Sequence, residues 1–142
     1  MNLEELEEKV AEALLSGDDP VLETLRQQYA ASVVSERDLT GVGVFIHFDV
    51  PANVPRVRPA HILLDDVFLD LERVEHGVMA MLFVNHGKLD FIEMCTVEGD
   101  WPDEIVLRAI GFSAPKPGST DECELGEERD LEVVRKRNNW AG

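Results

Sequence analysis

The stretch from residue 40 to 51, TGVGVFIHFDVP, alternates more regularly than any other part of this chain. Val44, Ile46, Phe48 and Val50 fall on one parity, and Gly43, Phe45, His47 and Asp49 fall on the other. Successive side chains of a strand point to opposite faces, so period-two alternation predicts a strand with one apolar and one polar face. Such a strand belongs in a sheet covered on one side. The even-numbered row is expected to seal against helices and the odd-numbered row to stay wet.

The helices are supplied upstream. Over residues 2 to 15, Leu3, Leu6, Val10, Ala13 and Leu14 recur at helical spacing, and Asn2 with Glu5 three residues on forms a capping-box signature. SGDDP then ends this helix and starts another. Asp19 is the expected N-cap, Pro20 suits the first helical position, and Val21, Leu22, Leu25 and Tyr29 mark its buried side.

From residue 32 the period becomes that of strands. SVVSERDLT predicts a strand that turns polar, followed by the strand 42 to 50 and the proline-broken loop PANVPRVRP. Residues 61 to 72 predict one or two short strands broken near Asp65 and Asp66. Residues 78 to 84, apolar on both faces, predict a central strand, which turns at Asn85 to Lys88 and returns over 89 to 97. EGDWPDE is a loop, and IVLRAIGF is the last expected strand. The fold class is therefore α+β: two N-terminal helices packed on a mainly antiparallel sheet of five or six strands, one domain over residues 1 to 112. Residues 113 to 142 read as a tail, flexible or marginally helical. SAPKPGSTDECELGEE has a disordered composition, and EERDLEVVRKRNNW sets acids before bases, which suits a helix dipole but offers few apolar residues.

Charge narrows the function. The 142 residues carry 29 Asp and Glu against 13 Lys and Arg, a formal net charge of −16. Such a field repels nucleic-acid phosphates and anionic membranes, so the expected partners exclude both and include a basic protein. The chain has no apolar run long enough to span a bilayer. The acidic start MNLEELEEKV lacks the basic and apolar pattern of a signal peptide, and two cysteines make no disulfide framework. Cys95 reads as a small core residue, and Cys123 lies among carboxylates, a setting that lowers reactivity. A cytoplasmic location is expected.

The chain lacks a G-x-S-x-G elbow, a Walker loop, H-E-x-x-H and C-x-x-C. GVG at 41 to 43 is followed by a strand rather than a phosphate-binding helix. No catalytic residue, cofactor or metal is assigned. His47 and Asp49 share a face about 7 Å apart, close enough to ligate one ion with a third ligand from His61, Glu75, His76 or Glu93. The plainer reading places them on the wet face of the sheet. Glu75 and His76 are adjacent, so they converge only in a turn, which Gly77 permits. Trp101, held extended by Pro102, is either a recognition anchor or a lid on the core. The candidate binding residues are Phe45, His47, Asp49, Glu75, His76 and Trp101.

TGVGVFIHFDVP, followed by LERVEHGVMAMLFVNHGKLDFIEMCTVEGDWPDEI, resembles a family of small bacterial proteins of unknown function, over about residues 20 to 110. That family's motifs run T-G-V-G-F-F, L-E-H-G-A-G-F, an x-D-G hairpin and a closing W-P. Here Val44 replaces an aromatic, Val78 and Met79 replace a small pair, and His86 takes the Asp place. The resemblance implies a compact α+β domain and no particular activity. The function expected from the sequence is a small acidic binding or regulatory module, an inhibitor of a basic protein partner. The alternatives are a metal-dependent or hydrolytic enzyme using His47 and Asp49, and a self-associating structural protein.

Overall fold

The protein is described here by a computed structural model, covering residues 1–116, 118 and 123–140. Helix α1 (Leu3–Leu14) starts from the expected capping box. The Asn2 side chain accepts from the Glu5 amide at 2.8 Å, and the Asn2 amide donates to the Glu5 carboxylate at 3.3 Å. Helix α2 (Pro20–Ala31) starts from Asp19, whose carboxylate accepts from the amides of Val21 and Leu22. The strands follow as β1 (Val33–Leu39), β2 (Gly43–Asp49), β3 (Ile62–Leu71), β4 (Val78–Asn85), β5 (Lys88–Thr96), β6 (Leu107–Pro115) and β7 (Cys123–Gly126), and helix α3 (Leu131–Asn138) comes last. Among the described residues, no helix is long and apolar enough to cross a membrane.

Among the described residues, all strand pairs are antiparallel, in a single sheet of order β1-β2-β5-β4-β3-β6-β7. The sheet has seven strands where the sequence pattern gave five or six. The added strand, β7, comes from the segment read as a tail. Its four residues are all exposed, so it carries no apolar alternation, and it joins by backbone pairing to β6. β4 is central, as its two apolar faces require.

The break expected at Asp65 and Asp66 is instead a slip in register within one ten-residue strand, between Leu64 and Val67. The slip keeps Leu64, Val67, Leu69 and Leu71 all buried.

Val44, Ile46 and Phe48 are buried while Phe45 and His47 are half-buried and Asp49 is exposed. The sealed row meets a layer built from Leu6, Val10 and Leu14 of α1 and Leu22 and Leu25 of α2. Each such side chain contributes roughly 1.5–3 kcal/mol by leaving water. Gly43 is needed for this packing: a Cβ there would lie 2.0 Å from the Met94 carbonyl oxygen of β5. The β4–β5 turn places both His86 (φ 56) and Gly87 (φ 75) in the left-handed region, as a two-residue type I′ turn demands. Gln28 of α2 pins that turn from inside. Its amide donates to the Pro55 and Gly87 carbonyls, and its oxygen accepts from the Leu89 amide. Fully buried, it has its hydrogen bonds met.

Helix α1 has no basic residue in its last turn, and two arginines from elsewhere cap it. Arg26 of α2 donates to the carbonyls of Leu15 and Gly17. Arg129 donates to those of Ala13, Leu14 and Ser16 while gripping both oxygens of Asp66 at 2.8 and 2.9 Å. Beyond it, Arg135 of α3 and the indole N–H of Trp140 both donate to Asp19. Val134 and Trp140 are buried. α3 is short, and docking rather than propensity stabilises it.

The Arg129–Asp66 side chains are 5% and 2% exposed, whereas those of the Arg108–Asp70 pair are 55% and 52% exposed. Arg129→Met should therefore cost about 3–5 kcal/mol in urea unfolding, by stranding a buried carboxylate. Arg108→Met should cost less than about 1 kcal/mol. Burial pushes the Asp19 carboxyl up, but bonds from Arg135, Trp140, Val21 and Leu22 outweigh it and hold the pKa below its ordinary 3.8. Below pH 3.8 the unfolded chain binds this proton more readily than the folded one, so Asp19 contributes stability above 3.8 that fades as pH falls. The stability gap between the native chain and Asp19→Asn should narrow over that range in urea titrations.

Candidate functional site

The opposite face of the sheet carries the odd-numbered row of β2 and its neighbours. Cross-strand register sets His47 beside Phe91 and Phe91 beside Phe83, and sets Phe45 beside Glu93 and Glu93 beside Met81. The rings form a continuous patch. Phe83 and Phe91 stack at 4.4 Å between centroids, 15° from parallel. Phe45 and His47 lie 6.0 and 5.5 Å from Phe91, and 6.3 Å from each other. All four are half-buried. Aromatic rows of this kind stabilise a sheet by cross-strand contact, and half-burial leaves each residue partly open to solvent.

β1 adds carboxylates to one side of the patch. Glu36 lies across from His47, and Asp38 across from Phe45. A ligand atom from each of Glu36, Asp38 and His47 falls within 4.8 Å of the others. Among the described residues, Glu36, Asp38 and Glu93 form no ion pair or side-chain hydrogen bond. The base nearest in sequence, Arg37, points to the other side and pairs with Glu7 of α1. That bond, working against desolvation, raises the Arg37 pKa and keeps it charged. Two carboxylates, an imidazole and half-buried rings can together accept a cation: a divalent ion at the three ligand atoms, or a guanidinium across carboxylates and rings.

Cys95 lies on the same side, beyond Glu93. Burial and the Glu93 charge raise its pKa, so it stays a thiol and a poor nucleophile.

Of the six residues read from the sequence, Phe45 and His47 come together here. Asp49 ends β2 and lines a separate groove with Arg56 and Lys88. Glu75 and His76 do lie in a turn, with His76 at φ 62, and line a groove of about 660 Å³ floored by Ala109, Gly111 and Gly126. His76 pairs with Glu98 at 3.2 Å. Trp101 packs against the core at another end of the sheet, its amide donating to the Gly41 carbonyl at 2.8 Å. His61, weighed above as a ligand, bonds Asn85 at 3.1 Å.

Sequence reasoning missed Glu36, Asp38, Phe83 and Phe91. Alternation within β4 and β5 carried a signal for the two rings, but register was needed to join them. No protein-family model, curated protein or solved structure matches this chain.

Proposed function

We propose that this protein is a small acidic binding module that engages a basic protein partner and thereby inhibits or regulates it, in the cytoplasm and without catalysis. The observation that carries this reading is the half-buried aromatic patch of β2, β4 and β5 beside carboxylates that have no counter-charge among the described residues. Partly open aromatic anchors next to unpaired charge are what an interface uses for affinity and for steering. The net charge of −16 favours a basic surface over nucleic acid, and it opposes self-association.

The convergence of Glu36, Asp38 and His47 within 4.8 Å favours a second, metal-dependent reading. It rests on these residues and not on the His47–Asp49 pair. Under it, equilibrium dialysis against zinc or manganese should recover one ion per chain, lost in His47→Ala.

The first reading is tested by immobilising the protein and eluting bound basic proteins with salt. Each one recovered is then purified and its affinity measured by calorimetry at several ionic strengths. Affinity should fall about tenfold or more between low and physiological salt, because the charges that steer association are screened. Affinity that does not change with salt would remove the reading.

A further inference from the structure

We infer that the patch formed by Phe45, His47, Phe83 and Phe91, with Glu36, Asp38 and Glu93 beside it, is a receptor for an arginine side chain of a basic protein. This deepens the function proposed above and rests on it.

The patch complements a guanidinium in charge and in shape. Glu36 and Asp38 present carboxylate oxygens within 4.8 Å of the His47 ring, and Glu93 lies across from Phe45 on the adjoining strand. Packing like charges closely without a counter-ion is unfavourable, and an incoming cation relieves it. The rings select which cation. A divalent ion would use three ligand atoms and leave the half-buried rings of Phe45, Phe83 and Phe91 without a role. A lysine ammonium is a compact, strongly hydrated charge. A guanidinium is planar and weakly hydrated: it can fork onto carboxylates and lie flat on a ring face at once. A nucleic acid would bring phosphates against carboxylates. A second copy of the chain would bring another formal charge of −16 against this face, which its own field opposes.

The test measures the affinity of a labelled arginine-rich peptide and of its lysine counterpart of equal length and charge, by fluorescence anisotropy. For the native chain, arginine should be preferred roughly five- to tenfold. Phe91→Ser should erase that preference. Glu36→Gln with Asp38→Asn should weaken the arginine peptide about tenfold while circular dichroism stays native, which guards against a Phe91 variant that fails to fold. Glu4→Gln with Glu8→Gln, exposed on α1, removes the same charge elsewhere and should change binding less than about twofold.

Equal affinity for both peptides, or equal sensitivity to the α1 changes, would overturn the receptor while leaving a basic partner in place. Absence of binding to either peptide, together with salt-insensitive affinity for the basic proteins, would overturn both. Stoichiometric metal uptake lost in His47→Ala, or a dimer in light scattering that Phe91→Ser dissolves, would each assign the patch to another occupant and overturn the receptor.

Discussion

Helices α1 and α2 stand on one face of a seven-stranded sheet, and this one-sided layering governs the rest. A strand in such a sheet must sort its side chains by parity, because every second residue faces helix and every other faces water. Val44, Ile46 and Phe48 are sorted inward and Phe45 and His47 outward. Had a second helical layer covered both faces, the rings of Phe83 and Phe91 would be core. With a single layer they stay half-buried.

Holding that layer in place falls to a few charged residues rather than to apolar area alone. Arg129 joins the end of α1 to the bulged part of β3, and Asp19 joins the start of α2 to α3 through Arg135 and Trp140. Both contacts link residues more than a hundred positions apart for Arg129 to α1 and for Asp19 to the C-terminal segment. A buried ion pair is weak evidence of net stabilisation, but it strongly penalises any arrangement that leaves one partner behind. The effect here is specificity: α3 has one place where Arg135 and Trp140 both find Asp19. The apolar content of EERDLEVVRKRNNW could not reveal this, because the docking energy lies in charges whose partners are near the N-terminus.

Much of the fold was legible because its signals are local. The Asn2 and Asp19 caps, the parity of β2 and the His86-Gly87 turn each concern residues within a few positions of one another. What was not legible depends on pairing. β7 forms because β6 offers a free edge, not because CELG looks like a strand. Phe45, His47, Asp49, Glu75, His76 and Trp101 were separate candidates in sequence. The sheet keeps Phe45 and His47 together and leaves the others at a strand end, a turn and a loop.

The carboxylates of the patch were hidden for a sharper reason. Continued alternation from Val34, which packs against the core, would carry Glu36 and Asp38 inward as well. The register of β1 against β2 slips between Val34 and Glu36, and the parity reverses there. Arg37 then falls on the helix side, where Glu7 of α1 receives it, and Glu36 and Asp38 swing out beside His47 and Phe45. A single added residue thus does two things. It brings the one base of this strand under a helix that carries a buried acid, and it leaves two acids on the open face without it. Neutralising Glu7 inside and exposing Glu36 and Asp38 outside are consequences of the same irregularity, so the charge of the patch is set by the geometry of the edge strand rather than by the overall acidity of the chain.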